Sequence, residues 1–331
     1  MKRIPVTLLT GFLGSGKTTL LAALLRHPAF TDTALIVNEF GEVSIDHLLV
    51  ADLAENIIEL RDGCLCCSIR GDLVMTLRDL WRKRCLDEIP RFARVVVETS
   101  GVADPVPLVH TLMANGPLLK VYSLDAVVCV VDALAAGHHF ACEPVAASQA
   151  ALADIIVISK TDLAPPAAVD ALRSRLAASN GGAEILSAVH GALAPQQLLD
   201  RRRFQPGAGS ADLNAWLGKG DSSGNAHAHD HGAEFVAHVI RHTGPLSLAG
   251  TAVFLNRIVN ESGDAILRIK GLAGFREKGG RPAVLHAVRN KFYPVEWLDA
   301  WPDGDHESRL VFIGRHIDSR RIDELFAALC V

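Results

Sequence analysis

The sequence predicts an α/β protein in which a mostly parallel sheet, covered by helices on both faces, is followed by a smaller α+β domain. The first observation is a series of short β-branched runs, at residues 34–37, 95–97, 127–131 and 155–158. Helix-like stretches, including residues 72–84 and 167–177, separate these runs. The runs are apolar throughout rather than alternating, as is typical of parallel strands buried on both faces.

The second observation is a change of composition after the first two hundred residues. Residues 207–232 are rich in Gly, Ser, Ala, Asp and Asn, which predicts a flexible linker. Beyond it, strand candidates cluster at 235–240, 265–269, 283–288 and 310–313, with helix candidates at 247–258 and 319–329. We therefore expect a first domain over residues 1–206, the linker over 207–232 and the α+β domain over 233–331.

Bulk composition excludes several classes of protein. The chain has 331 residues, 49% of them hydrophobic and 21% charged, and a formal net charge of −4. This charge gives no electrostatic reason to expect nucleic acid or an anionic membrane as a partner. No apolar stretch approaches the roughly 18 residues that a transmembrane helix requires. Seven cysteines, without the cleavage site of a signal peptide, indicate reduced thiols and a cytoplasmic protein.

Residues 11–19, Gly-Phe-Leu-Gly-Ser-Gly-Lys-Thr-Thr, have the spacing of a phosphate-binding P-loop. A strand-like run at residues 4–9 precedes them and a helix-like run at 18–25 follows, which is the context that the motif requires. A glycine-rich turn without a ligand is the alternative, and this context disfavours it. The first domain is therefore predicted to be a P-loop NTPase domain. Its predicted phosphate-binding residues are Gly11, Gly14, Ser15, Gly16, Lys17, Thr18 and Thr19.

Three cysteines lie within four positions, at Cys64, Cys66 and Cys67. Three thiolates from one loop can face a common centre, and soft sulfur suits Zn²⁺ or Cu⁺. Two alternatives remain open: an inert buried set of cysteines, and a redox pair formed by Cys64 and Cys67. Metal binding is the favoured interpretation, because polar residues surround the cluster and because it lies inside a nucleotide-binding domain.

Acidic residues at strand ends are the candidate magnesium and switch residues. Glu98 ends an apolar strand, and Gly101 follows three residues later. In a P-loop protein such a carboxylate binds Mg²⁺ directly or through water, beside the Thr18 hydroxyl, and such a glycine senses the γ-phosphate. Asp132 ends the next apolar run and is a rival for the same role.

A loop rich in acidic residues follows the strand at residues 34–37. Its Glu39 and Asp46 are candidates for the switch and for positioning water, and its Glu42 is a possible auxiliary metal ligand. In the predicted linker, His227, His229 and His231 alternate along the chain. They could capture Zn²⁺ weakly and pass it on, or they could be residues of an ordinary polar linker.

Ser159, Lys160 and Asp162 resemble the guanine-reading Asn-Lys-x-Asp element, with Ser in the first position. The aspartate at this site can accept two hydrogen bonds from guanine that adenine cannot supply. The stem of Lys160 can cover one face of the base. An ordinary strand-to-helix loop is the alternative, and the P-loop earlier in the chain disfavours it.

Together these motifs resemble those of the CobW-like GTPases, whose relatives include the nickel-insertion GTPases for urease and hydrogenase. The resemblance covers nearly the whole chain and is carried by residues 11–19, 38–42, 63–67, 98–101 and 159–162, with 267–271 and 309–314 in the second domain. Cys-x-Cys-Cys is its most specific motif. Ser159 departs from the usual Asn of the family, which places the strength of base recognition in question.

The resemblance implies a GTP-hydrolysing metallochaperone with GTP or GDP, Mg²⁺ and Zn²⁺ as its ligands. We expect slow hydrolysis, a metal bound by the three cysteines, and delivery to client metalloproteins under nucleotide control. The chain could also form a homo-oligomer. The alternatives are an assembly or regulatory GTPase with a structural zinc site, an insertion GTPase for another metal such as cobalt, and a thiol-redox NTPase.

Overall fold

The computed structural model describes residues 3–37, 57–59, 69–199, 217, 235–302 and 306–331. The predicted acidic loop, the cysteine cluster and the three linker histidines lie outside these residues. The chain divides into two compact units, Met1–Arg173 with Ile185–Arg202, and Ser174–Glu184 with Arg203–Val331. The domain boundaries expected from composition stay predictions.

The first unit contains a seven-stranded sheet of order β3-β2-β4-β1-β5-β6-β7. Its strands are β1 Ile4–Thr10, β2 Thr33–Val37, β3 Ile57–Glu59, β4 Arg94–Glu98, β5 Tyr122–Asp132, β6 Ile155–Ser159 and β7 Glu184–Ala188. The pairs β3–β2, β2–β4, β4–β1, β1–β5 and β5–β6 are all parallel. The mostly parallel sheet that the sequence predicts is therefore confirmed.

Helices connect the strands of this sheet. They are α1 Lys17–Leu25, α2 Ile69–Cys85, α3 Val106–Ala114, α4 Gly116–Leu119, α5 Ala136–Cys142, α6 Pro144–Leu152 and α7 Pro166–Ser179. Leu20 and Leu21 of α1 belong to one buried cluster with Val128 of β5. The neighbouring Val127 points to the opposite face and is also buried. Both faces of the sheet are thus covered.

The second unit contains an antiparallel sheet of order β11-β10-β9-β13-β8, with β12 paired to β10. Its strands are β8 Val236–Thr243, β9 Ile266–Phe275, β10 Arg281–Val288, β11 Lys291–Phe292, β12 Glu296–Trp297 and β13 Glu307–Gly314. Two helices, α8 Leu248–Ser262 and α9 Ser319–Leu329, share its core. Phe254 of α8 makes edge contacts with Phe312 of β13 and Phe326 of α9. This is the expected α+β architecture.

The structure contains elements that the sequence analysis did not predict, namely β3, β7, β11, β12 and the helices α3 to α6. Helix α6 shows why: its residues from Ala146 to Leu152 are all buried, so the helix has no polar face and no helical period in its hydrophobic residues. Strand β5 begins at Tyr122, five residues before the apolar run at 127–131 that predicted it. The run did not reveal this start because Ser123 and Asp125 are polar, although both are buried strand residues. None of the helices in the described ranges combines the length and the apolarity needed to cross a membrane.

Candidate nucleotide-binding site

The loop between β1 and α1 has a backbone that glycine alone adopts without strain. Gly11, Gly14 and Gly16 have φ angles of 141°, 70° and 94°. A Cβ atom at Gly11 would collide with the carbonyl oxygen of Val130 in β5. The left-handed turns at Gly14 and Gly16 lead directly into the first residue of α1. The loop therefore has the tight turns that aim backbone N–H groups at an anion in front of a helix.

Two polar side chains of this loop are suited to a phosphate. The ammonium group of Lys17 lies inside the loop and donates to the carbonyl oxygens of Gly11, at 2.8 Å, and Phe12, at 3.3 Å. The Ser15 hydroxyl is buried and has no hydrogen-bond partner in the described part of the chain. A cation and an unsatisfied hydroxyl beside three glycines are donors that fit the oxygens of a polyphosphate.

The candidate magnesium site brings together α1 and the end of β4. The Thr18 Oγ1 and Glu98 Oε1 atoms are 3.5 Å apart, and Glu98 is buried. A hydroxyl and a carboxylate are the oxygen ligands that Mg²⁺ prefers beside a phosphate. Gly101 lies against the P-loop, since a Cβ atom there would be 2.8 Å from the backbone nitrogen of Leu13. The segment 98–101 therefore contacts α1, through Glu98 and Thr18, and the P-loop, through Gly101 and Leu13.

Asp132, which the sequence offered as a rival of Glu98 for the magnesium site, is paired with Lys160. Its Oδ2 atom lies 2.7 Å from the ammonium group of Lys160, and its Oδ1 atom accepts a hydrogen bond from the backbone N–H of Leu134. Lys160 also donates to the carbonyl oxygen of Gly14 at 2.8 Å. Asp132 therefore orients the lysine of the predicted guanine-reading element, whereas the carboxylate beside Thr18 belongs to Glu98.

Ser159 connects the predicted guanine-reading element to the P-loop. Its hydroxyl is 2.6 Å from the carbonyl oxygen of Ser15 and 3.3 Å from that of Val131, so the stronger hydrogen bond is to the P-loop. Ser159 is buried at the end of β6, and Lys160 follows with a left-handed φ of 55°. Ser159, at the first position of the element, thus bonds to the protein backbone through its hydroxyl. An asparagine side chain has no hydroxyl.

The segment after β7 is a part of the site that the sequence analysis missed. The ring nitrogen Nε2 of His190 lies 3.8 Å from Asp162 Oδ2, and His190 is 84% exposed. Gly191, with a φ of 74°, packs so closely on α1 that a Cβ atom would be 2.7 Å from the carbonyl oxygen of Thr19. A solitary histidine and glycine gave no sequence signal, because their proximity to Asp162 and α1 depends on the position of β7 in the sheet.

Gln149 is a further residue that sequence reasoning missed. Its side chain is fully buried on α6, and Nε2 donates to the carbonyl oxygens of Gly101, at 3.1 Å, and Ala103, at 3.0 Å. Both acceptors are carbonyl groups, so only the amide nitrogen can face them. Gln149 therefore fixes the segment that follows Glu98. A glutamine among alanines in an Ala-rich stretch carries no motif that could have revealed this role.

The predicted metal ligands Cys64, Cys66 and Cys67 lie outside the described residues, as do Glu39, Glu42, Asp46 and the linker histidines. The strand before the cysteines is described, however. In the sheet register, Val37 of β2 pairs with Glu59 at the end of β3 and with Glu98 at the end of β4. The strand that leads to the cysteines therefore ends at the same edge of the sheet as the candidate magnesium ligand, two strands away.

The four remaining cysteines, Cys85, Cys129, Cys142 and Cys330, all lie in the described part of the chain. Within the described ranges, no three His, Cys, Asp or Glu side chains are close enough to hold a metal ion together. Burial raises the pKa of the Cys129 thiol to about 12 and that of Cys330 to about 11. These two thiols are thus protonated at neutral pH and unsuited to binding a metal.

A parallel sheet with a glycine loop between its first strand and helix, and with Lys17, Thr18 and Glu98 at that loop, defines a P-loop nucleotide-binding protein. The family model for the CobW/HypB/UreG nucleotide-binding domain matches residues 5–187, and that for the cobalamin synthesis protein cobW C-terminal domain matches residues 235–330. The chain belongs to the CobW family. The resemblance stated from the motifs is thereby confirmed.

The chain is similar over its whole length to several characterised proteins. It is 33% identical to the zinc chaperone YjiA of Escherichia coli (strain K12) over 99% of both chains. It is 30% identical to the zinc chaperone CobW of Sinorhizobium sp, over 95% of this chain and 93% of the relative. The crystal structure of the Zn(II)-bound YjiA GTPase from E. coli superposes with a TM-score of 0.76 at 28% identity, covering 99% of each chain.

Proposed function

We propose that this protein is a slow GTPase and zinc metallochaperone, which binds Zn²⁺ through Cys64, Cys66 and Cys67 and delivers it to client metalloproteins under nucleotide control. Membership of the CobW family supports the nucleotide-binding part. The end-to-end similarity to proteins named zinc chaperones supports zinc as the cargo. Zinc is the substrate of such a protein rather than a resident cofactor.

The attachment of the base-reading element to the P-loop is the observation that carries the proposal. Ser159 and Lys160 bond to the carbonyl oxygens of two consecutive P-loop residues, Gly14 and Ser15. A nucleotide with its phosphates on the loop then extends its base toward Asp162, whose carboxylate can accept hydrogen bonds from guanine and not from adenine. These contacts favour GTP over ATP.

The residues at the phosphate end fit Mg²⁺, which when bound neutralises charge on the terminal phosphates. Thr18 and Glu98 would hold the ion directly or through water. Gly101 lies against Leu13 of the P-loop and its carbonyl accepts a hydrogen bond from Gln149, which supports a response of this segment to the γ-phosphate. Hydrolysis is proposed to be slow, with Glu39 or Asp46 positioning the water.

The register of β3 supports coupling between nucleotide and metal. Cys64 follows Glu59, the last residue of β3, by five positions, and Cys67 precedes Ile69, the first residue of α2, by two. Five extended residues span at most about 17 Å, whereas the ends of β3 and β4 are two strand spacings, about 10 Å, apart. The cysteines are therefore within reach of the nucleotide-binding edge. Glu42 and the linker histidines His227, His229 and His231 are proposed as auxiliary ligands.

The proposal is tested by measuring the Zn²⁺ affinity of the full chain against a chromophoric chelator, with a non-hydrolysable GTP analogue, with GDP and without nucleotide. We expect at least a tenfold difference between nucleotide states, about 1.4 kcal/mol. Replacing the three cysteines by serine should remove the nucleotide-dependent site. Lys17→Ala is the matched control. It should abolish the effect of the nucleotide and leave the zinc affinity of the nucleotide-free protein unchanged.

Three results would contradict the proposal in distinguishable ways. Equal affinity in all three nucleotide states indicates a GTPase with a structural zinc site. Zinc stoichiometry that survives replacement of the three cysteines places the metal elsewhere. A reversible disulfide between Cys64 and Cys67 at cytosolic potentials favours the thiol-redox alternative.

A further inference from the structure

One face of α5 carries a histidine and a cysteine one helical turn apart. His138 and Cys142 are both exposed, and the Nε2 atom of His138 lies 3.8 Å from the Sγ atom of Cys142. Residues separated by four positions on a helix are neighbours on its surface, so the helix itself sets this distance. The pair needs no loop closure or refolding to present both atoms in the same direction.

The separation matches what a tetrahedral zinc ion requires. Imidazole nitrogen binds Zn²⁺ at about 2.0–2.1 Å and thiolate sulfur at about 2.3 Å, so two such ligands at a tetrahedral angle lie about 3.5 Å apart. The 3.8 Å observed between Nε2 and Sγ therefore needs an adjustment of a few tenths of an ångström, which a side-chain rotation supplies. The donor set of one imidazole and one thiol also selects soft or borderline cations over Mg²⁺.

We propose that His138 and Cys142 form a second, two-ligand site for Zn²⁺ or a cation of similar softness, distinct from the cysteine cluster and beyond the proposed function. Two protein ligands leave two tetrahedral positions for water or for a ligand from another molecule. Since the described residues offer no third His, Cys, Asp or Glu within range, the site is open and suited to metal exchange rather than to a structural role.

The sequence around the pair favours a cation. Residues 121–159, which include the whole of α5 and α6, contain no Lys or Arg, while Glu143 immediately follows Cys142. The site also adjoins the nucleotide loop, because the ring of His139 lies 4.8 Å from that of Phe12, centroid to centroid. The proposed ligand His138 is thus adjacent in sequence to His139, the residue that contacts the P-loop.

Cys85 provides a matched control. It is the other exposed cysteine in the described part of the chain and lies at the end of α2. The residue one turn before it is Trp81, which cannot ligate a metal, and the helix ends at Cys85, so no residue follows one turn later on the same helix face. If a thiol alone were enough, Cys85 would bind as well as Cys142; if the histidine matters, only Cys142 will bind tightly.

The test uses the full chain with Cys64, Cys66 and Cys67 replaced by serine and the three linker histidines replaced by alanine, so that the sites of the proposed function are absent. Cd²⁺ is titrated, and the ultraviolet sulfur-to-cadmium charge-transfer absorption reports each metal-bound thiolate. We expect one equivalent to bind with this signal. Cys142→Ser should remove the signal, His138→Ala should weaken binding at least tenfold, and Cys85→Ser should leave both unchanged.

The proposal is overturned if the charge-transfer signal persists in Cys142→Ser, if Cys85→Ser removes it, or if His138→Ala binds Cd²⁺ as tightly as its parent. Retained GDP binding in every variant confirms that the first domain is folded. Because the cysteine cluster is already removed, these outcomes are independent of whether the proposed chaperone function is correct.

Discussion

The Ser159 hydroxyl donates a 2.6 Å hydrogen bond to the backbone carbonyl of Ser15, across 144 positions of sequence. Both residues are buried. The bond connects the end of β6, which carries the base-reading element, to the loop that is predicted to hold the phosphates. The serine that departs from the family pattern therefore has a structural role of its own, in holding these two parts of the site in register.

The first prediction concerns this bond. Ser159→Ala leaves the carbonyl of Ser15 without its donor, which costs about 1–3 kcal/mol for a buried group. We expect GDP affinity to fall about tenfold, which corresponds to about 1.4 kcal/mol. The free energy of unfolding should fall by about 1–3 kcal/mol. Isothermal titration calorimetry with GDP and urea unfolding measure the two effects.

Thr31→Ala is the control for Ser159→Ala, because the Thr31 hydroxyl also bonds to a backbone carbonyl, that of Pro28, at 3.1 Å, but on the surface. It should change stability by less than about 0.5 kcal/mol. GDP affinity that is the same in Ser159→Ala as in the unmodified chain would show that the bond does not support the site.

The second prediction concerns base selectivity. Asp162→Asn exchanges a carboxylate, which accepts from two guanine donors, for an amide that can donate to the additional oxygen of xanthine. Hydrogen bonds to a charged group contribute about 1.5–3 kcal/mol each, so we expect the preference for GDP over XDP to fall about a hundredfold. Competition between the two nucleotides for a fluorescent GDP analogue measures this ratio.

Asp170→Asn is the matched change, on the exposed surface of α7. It should leave the ratio of the two affinities unchanged. If Asp162→Asn still prefers GDP as strongly as the parent, the base is recognised by other residues, and the segment around His190, 3.8 Å from Asp162, becomes the first candidate.

The third prediction concerns Gln149, which fixes the segment behind Glu98. Gln149→Leu keeps the buried volume but removes the donor to the carbonyls of Gly101 and Ala103. Because these contacts lie next to the γ-phosphate end of the P-loop and not next to the base, we expect kcat for GTP to fall about tenfold while GDP affinity stays within about twofold. Steady-state phosphate release and GDP titration separate the two effects.

Gln197→Leu is the control, since the Gln197 side chain bonds to the backbone N–H of Ala194 on the surface. It should change neither kcat nor GDP affinity. A parallel loss of kcat and GDP affinity in Gln149→Leu would mean that the residue supports the whole fold of the site rather than the segment after Glu98.

The parts of the site that the sequence predicted are those encoded by neighbouring residues. Gly11, Gly16, Lys17 and Thr18 belong to one continuous loop, so their spacing alone indicates their geometry. Glu98 was predicted because its apolar strand ends there, and parallel strands bring their carboxyl ends to one edge. The same rule applied equally to Asp132, and only the side-chain packing separates the two: Lys160 contacts Asp132, and Thr18 contacts Glu98.

The parts that the sequence did not predict depend on pairs of residues far apart in the chain. Gln149 contacts Gly101 because α6 packs beside the end of β4, and nothing near residue 149 records that neighbour. Helices α3 and α6 were missed for a related reason: most of their residues are buried, so the hydrophobic period that identifies a surface helix is absent. Helices α4 and α5 are only four and seven residues long, which is too short to show a clear period.

The fourth prediction concerns the buried thiols of Cys129 and Cys330, whose pKa values burial raises to about 12 and about 11 from an ordinary value of 9.0. In the unfolded chain these thiols ionise near pH 9, whereas in the folded chain they stay protonated. The stability that this difference contributes is complete below pH 9 and is lost as the pH rises through the folded-state values. We expect the free energy of unfolding to fall by up to about 1.4 kcal/mol per pH unit for each thiol above pH 9.

Urea unfolding at pH 8, 9, 10 and 11 measures this slope. Cys129→Ala should reduce it relative to the parent chain above pH 9, whereas Cys85→Ser, which changes an exposed thiol, should leave it unchanged. The same burial predicts that iodoacetamide at pH 8 modifies Cys85 and Cys142 in the folded protein and spares Cys129 and Cys330, as read by mass spectrometry of peptides. Rapid modification of Cys129 under native conditions would contradict the burial on which both expectations rest.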